Sequence, residues 1–183
     1  MSGAPGSGKS TLARLLRPLV GGAVVDHDIL RSAFLTAGLD FQAAARSAYR
    51  LQWALAEDLV ARQGLSVIVD STCNYPETLA EGGALAERHG CDYWYVECRV
   101  RDVDLLDGRL RARPAPMPSQ RGGVDDYPAG AVEGGVADED PKERFVTQMG
   151  NPCRPATEEN VIIVDGTERP EKLREDILKR ILG

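Results

Sequence analysis

The stretch Gly3-Ala4-Pro5-Gly6-Ser7-Gly8-Lys9-Ser10-Thr11 constrains this chain more than any other part of it. It fits the spacing G-x-x-x-x-G-K-[ST], in which a glycine-rich turn opens directly into a helix. Glycines at 3, 6 and 8 let successive backbone N–H groups converge on one anion. Lys9 brings a point charge to the outer phosphates of a nucleotide, and the Ser10 hydroxyl offers one position on Mg²⁺. The helix predicted from about Lys9 to Arg17 carries Leu12, Leu15 and Leu16 on its apolar positions. Its N-terminal dipole faces the same anion.

A loop of this kind normally follows a buried parallel strand. Only Met1 and Ser2 precede Gly3. Four or five missing apolar residues matter, because each fully buried side chain stabilises by about 1.5–3 kcal/mol against a net domain stability of about 5–15 kcal/mol. The expectation is therefore that the natural chain begins upstream of Met1, with most of its first strand missing here. The 183 residues suggest one domain, at 43% hydrophobic and 27% charged residues. No apolar run is long enough to span a bilayer, and no signal peptide is expected from the residues ahead of the loop. A net charge of −6 weighs against broad nucleic-acid binding, though a local basic groove stays open. Cys73, Cys91, Cys98 and Cys153 show no metal spacing, so a reduced, cytoplasmic setting is expected, with Cys91 and Cys98 half-buried in a strand.

Strands and helices alternate along the rest of the chain. Ala23-Val24-Val25 reads as a short strand ending in Asp26-His27-Asp28, followed by helices at about 29–37 and 41–63. On the longer helix, Phe41, Ala45, Ala48, Leu55 and Leu59 share the predicted buried face. Leu65–Val69 is a continuous apolar run ending in Asp70, as a fully buried strand reads. Helices are predicted at about 76–89, 102–113, 141–149 and 170–182, and strands at 92–100 and 161–164. Residues 114–137 are rich in Pro and Gly, lack periodicity, and read as a mobile flap or lid rather than a second domain. This alternation predicts an α/β fold of three layers, a parallel sheet covered on both faces by helices.

Several positions carry chemistry. Asp70 ends a strand beside the glycine loop and is the expected second Mg²⁺ partner after Ser10; a turn aspartate would look the same. Asp28 and Arg31 lie one helical turn apart, so a carboxylate able to take a hydroxyl proton shares a face with a guanidinium able to steer an acceptor. An N-cap aspartate beside a surface arginine fits the same spacing, and Asp26 is a rival carboxylate. His27 reads as a solvated turn residue. Arg109 and Arg113 share a helical face next to the flap and could close on a transferring phosphoryl group; a solvated basic face competes with that reading. Arg121 is a weaker flap candidate, and Arg46 with Arg50 either line an acceptor site or lie on the surface. Arg154 and the Asp165-Gly166-Thr167 turn flank the last strand, where adenine could be held.

Taken together, GAPGSGKST, Asp28-Ile29-Leu30-Arg31, Val67-Ile68-Val69-Asp70-Ser71-Thr72 and the Arg109…Arg113 pair resemble the AAA-domain P-loop kinases of the polynucleotide-kinase-like and zeta-toxin-like family. The resemblance runs from residue 3 to about 167. It implies a sheet of about five strands in the order 2-3-1-4-5, ATP with Mg²⁺ as cofactors, Asp28 as general base, Arg31 on the acceptor, and Arg109 and Arg113 on the donor phosphates. The nucleotide would sit on Gly3, Ala4, Pro5, Gly6, Ser7, Gly8, Lys9, Ser10 and Thr11, with Arg154 near the base. The chain departs from the family in its missing first strand and long flap, and it lacks the phosphatase domain of bifunctional members. The expected activity is phosphoryl transfer from ATP to a hydroxyl, on a small molecule before a 5′-OH polynucleotide, because net acidity disfavours a basic channel. An ATPase switch that transfers nothing is the reading of a different class; no N-K-x-D guanine motif accompanies the loop.

Overall fold

The structure is a computed structural model and describes residues 1–133 and 140–183. The chain runs α1 (Lys9–Leu16), β1 (Gly22–Asp26), α2 (His27–Thr36), α3 (Phe41–Ala61), β2 (Ser66–Asp70) and α4 (Pro76–His89). It continues with β3 (Tyr95–Arg99), α5 (Val103–Arg111), α6 (Ala129–Glu133), α7 (Pro141–Gly150), β4 (Val161–Asp165) and α8 (Pro170–Leu182). The α/β alternation and the parallel strands are as expected. Among the described residues no helix is long and apolar enough to cross a membrane.

The strands form two parallel pairs. β1 lies on β2 from Gly22↔Ser66 to Asp26↔Asp70, and β3 lies on β4 from Tyr95↔Val161 to Arg99↔Asp165. Residues 1 and 2 stand between the pairs. The Met1 ammonium donates to Val69 O at 2.8 Å, and Ser71 N–H donates to Met1 O at 3.4 Å. On the other side Ser2 N–H donates to Val96 O at 2.7 Å, and Cys98 N–H donates to Ser2 O at 2.9 Å. The expected central strand is thus represented by two residues, with a single parallel bridge between Ser2 and Glu97. Behind them the facing edges of β2 and β3 do not meet. A cavity of about 560 Å³ opens there, lined by Met1, Val67, Val69, Trp94 and Val96.

Helices pack around these pairs in two groups. Leu12 and Leu16 of α1 and Leu173 and Ile177 of α8 join Val96, Cys98, Ile162 and Val164 in one apolar core. α3 packs on β1, β2, α2 and α4. Its buried residues are Ala44, Ala48, Gln52 and Ala56, a row with a strict four-residue spacing. Ala48 of the expected face is buried, but Leu55 of the same face is 37% exposed, so the alanines and not the leucine carry the contact. Small side chains let the helix axis approach its neighbours closely, and this close packing outweighs the burial of larger apolar groups.

The cysteines depart from expectation. Cys98 is buried inside β3, whereas Cys91 is exposed ahead of it. The described part of the flap contains α6, and Ser119, Arg121, Val124 and Ala131 within it are buried. Arg121 donates to the carbonyls of Val124, Asp126 and Pro141 at 3.0–3.2 Å, which ties the segment to α7. Backbone-directed bonds of this kind leave no periodic trace in a sequence. Residues 134–137 of the expected flap lie outside the described residues.

Candidate active site

The glycine loop leaves Ser2 and turns back on itself before α1. Gly3 needs to be glycine for space, since a Cβ there would lie 2.5 Å from Cys98 O. Gly8 needs to be glycine for conformation: it is the residue before α1 and has φ +98°, in the left-handed region. Lys9 is 9% exposed at the first position of α1. Gly3, Ala4, Pro5, Lys9 and Ser10 line a cavity of about 210 Å³. Gly6, Ser7 and Gly8 shape the turn behind it, and Thr11 is exposed on the next position of the helix.

β1 and β2 end in register at Asp26 and Asp70, which places two carboxylates at the edge of that cavity. Their roles differ. Asp26 Oδ1 accepts from Asp28 N–H at 2.9 Å and Ile29 N–H at 3.4 Å, so Asp26 is the N-cap of α2. Burial, and then the nearby Asp70 and Asp28 charges, push its pKa up. The N-cap reading of Asp28 is therefore corrected: Asp28 is the second residue of α2, where its side chain is released from capping. Asp70 is 3% exposed, and neither of its carboxylate oxygens has a hydrogen-bond partner. An uncompensated buried carboxylate costs several kcal/mol. With the Ser10 hydroxyl on the same cavity wall, the donor set fits a hard divalent cation such as Mg²⁺.

Asp28 and Arg31 both reach the cavity. Arg31 lies flat over the Phe41 ring, 3.6 Å from its centroid, and its Nη2 donates to Phe41 O at 3.4 Å. Its buried Nε has no partner. Burial pushes the Arg31 pKa down. Between them His27 is buried at 7% exposure and not solvated. Its Nδ1 lies 3.2 Å from Gln52 Oε1 and its ring 4.2 Å from Tyr49. Burial, only partly offset by Asp28, pushes its pKa down to about 4. A neutral imidazole locked in this way is part of the wall.

The arginines after β3 divide. Arg113 lines the cavity. Arg109 instead donates through Nη1 to Gly166 O at 3.0 Å and Gly6 O at 3.4 Å, bracing the glycine loop against the turn after β4. The two are not brought together on one cavity wall. Arg154 is engaged within the protein. It grips Glu97 with Nε at 2.6 Å from Oε2 and Nη2 at 3.0 Å from Oε1, while Arg99 holds the same carboxylate. Burial alone would raise the Glu97 pKa, yet the two guanidiniums hold it below its ordinary value. Arg46 and Arg50 are exposed on α3. Gln120 and Ser119, which the sequence did not single out, line the same cavity.

A parallel α/β sheet with a glycine-rich phosphate loop at the carboxyl ends of its strands defines a P-loop NTPase fold of the kinase kind. Residues 1–123 match the AAA domain family, and the chain belongs to it. No curated protein matches the chain in sequence. In fold it is similar to the APS kinase of Mycobacterium tuberculosis solved with AMPPNP and APS, at 20% identity, a TM-score of 0.64, and coverage of 100% of this chain and 95% of that one. A putative kinase from Chloroflexus aurantiacus shares 14% identity at a TM-score of 0.69, covering 99% and 93%. A gluconokinase from Sinorhizobium meliloti shares 17% at 0.60, covering 99% and 89%.

Proposed function

We propose that the protein is an ATP-dependent phosphotransferase that moves the γ-phosphoryl group of ATP to a hydroxyl of a small molecule. The observation that carries this reading is that one cavity holds both halves of such a site. Lys9, Ser10 and Asp70 form the donor side, and Asp28 with Arg31 form the acceptor side. Mg²⁺, held by Ser10 and Asp70, would screen the phosphate charge. Lys9 neutralises charge on the outer phosphates, and Arg113 reaches the same space. The acceptor oxygen attacks phosphorus, its proton passes to the Asp28 carboxylate, and ADP leaves. Arg31 orients the acceptor.

A pocket roofed by residues 119–121, 127 and 128 suits a compact acceptor better than a polymer. The net charge of −6 points the same way. The P-loop kinases of similar fold include two whose names carry small acceptors, APS and gluconate. The test is ADP release from ATP–Mg²⁺ across a panel of sugars, nucleosides, small alcohols and a 5′-OH oligonucleotide. Stimulation by a small molecule, lost by about 100-fold or more in Asp28→Asn, is the expected result. Stimulation by the oligonucleotide alone would make the acceptor a nucleic-acid end. Slow hydrolysis indifferent to every acceptor and to Asp28→Asn would overturn the transferase reading.

A further inference from the structure

Residues 117–120 form a tight turn, closed by Gln120 N–H donating to Met117 O at 2.8 Å. The turn is docked on α2. Ser119 Oγ donates to Asp28 O at 3.0 Å, Ser32 Oγ donates to Ser119 Oγ at 2.8 Å, and Ser119 N–H donates to Ser32 Oγ at 3.2 Å. Each donor is used once in this arrangement, and both serines are 6% exposed. α6 backs the turn from the other side, with Gly130 N–H donating to Pro118 O at 3.1 Å. A Cβ on Gly130 would come within 2.8 Å of Leu35 Cδ1, so α2, the turn and α6 are in close contact.

The Gln120 side chain projects from this fixed turn with its own orientation set. Its Oε1 accepts from Met117 N–H at 3.2 Å. A backbone N–H can only donate, so the amide oxygen must face Met117 and the NH₂ must face away. That NH₂ lies 3.1 Å from Asp28 Oδ2. We propose that Gln120 is a positioning residue: it holds the Asp28 carboxylate through Oδ2 and leaves Oδ1 to take the proton of the acceptor hydroxyl. The proposal rests on the reading of Asp28 as proton acceptor. It adds that the segment after α5 sets the angle of that carboxylate, from 92 residues away in the chain.

Two variants test it. Gln120→Met keeps the length of the side chain and removes its hydrogen bonds. Gln120→Glu keeps an oxygen for Met117 N–H but turns a donor into a like charge beside Asp28. The contact is read directly by carboxyl ¹³C NMR, with the Asp28 signal assigned by its loss in Asp28→Asn. Asp26 on β1 and His27 and Arg31 on α2, the charged and titratable neighbours that interact with Asp28, are unchanged in the variants. At constant pH the Asp28 carboxyl signal should move when the hydrogen bond to Oδ2 is removed in Gln120→Met, and move again when a like charge replaces the donor in Gln120→Glu. A signal unmoved in both would overturn the proposal.

The consequence is read with ATP–Mg²⁺ and water as the acceptor. Gln120→Met should lower kcat for ADP release by about tenfold at an unchanged KM for ATP, since misplacing a reacting group costs rate and not donor binding. An unchanged kcat, with Asp28→Asn strongly impaired, would overturn the positioning role and leave Asp28 as proton acceptor. An unchanged kcat in Asp28→Asn would overturn the proton-acceptor reading on which the proposal rests. Equal losses in kcat and in ATP affinity would reduce Gln120 to a structural residue.

Discussion

His27 shows how a single side chain reports on its wall. Its folded-state pKa is about 4 against an ordinary 6.5, chiefly because burial disfavours the imidazolium. Below pH 6.5 the unfolded chain binds a proton that the folded chain refuses. The stability tied to the neutral ring is therefore present in full above that value and is lost as pH falls towards 4. Urea unfolding at about pH 7 and pH 5 should show a loss of about 2 kcal/mol attributable to this residue, and His27→Gln should remove most of that pH dependence. A variant with the same slope as the parent would show that the ring titrates normally. Asp26 and Asp28 differ for a related reason. They lie two positions apart in the sequence, but one is consumed by backbone N–H groups and the other is not.

At the scale of elements, α3 gives the sharpest check on what decides burial. Ala48 is fully buried in the row that meets the sheet, so Ala48→Leu should overpack it and cost about 1–3 kcal/mol in urea unfolding. Leu55→Gln, at a position on the same face that is 37% exposed, should cost less than about 1 kcal/mol. The reverse ranking would show that the leucine, and not the alanine row, carries the packing of this face. The same helix shows what was legible beforehand. The extent of the element was readable from its spacing and its Asp40 cap, which accepts from Gln42 and Ala43 N–H. Its inner face was legible only in part: Ala48 was placed there, but Ala44, Gln52 and Ala56 were not, because which neighbours of that face are buried depends on how near the packed elements come. α4 and α8 began and ended where Pro76, Gly90 and Pro170 placed them. α6 and the 117–120 turn left no pattern, since they are held by carbonyls, serines and one arginine. The glycine loop, Asp28, Arg31 and Asp70 could be read from short-range motifs. Gln120 could not, because only the folded chain brings it to Asp28.

For the whole molecule the decisive feature is the gap between the two strand pairs. β2 and β3 present facing edges on either side of a cavity lined largely by apolar residues, and residues 1 and 2 close only its end next to the loop. A chain lengthened ahead of Met1 by four β-branched apolar residues should thread this gap and bury about two side chains on each face. At about 1.5–3 kcal/mol per buried side chain, and about 2–4 °C in Tm per kcal/mol for a domain of this size, the midpoint should rise by at least several degrees. A glycine–serine extension of equal length should leave it unchanged, and calorimetry of the two against the parent decides the matter. The phosphate loop springs from the very two residues that clasp both pairs. Any anion bound there would therefore be held only by the folded chain in which both pairs are clasped. At 100 times its dissociation constant, such a ligand would stabilise that fold by about 2.7 kcal/mol, acting as a fastening of the scaffold.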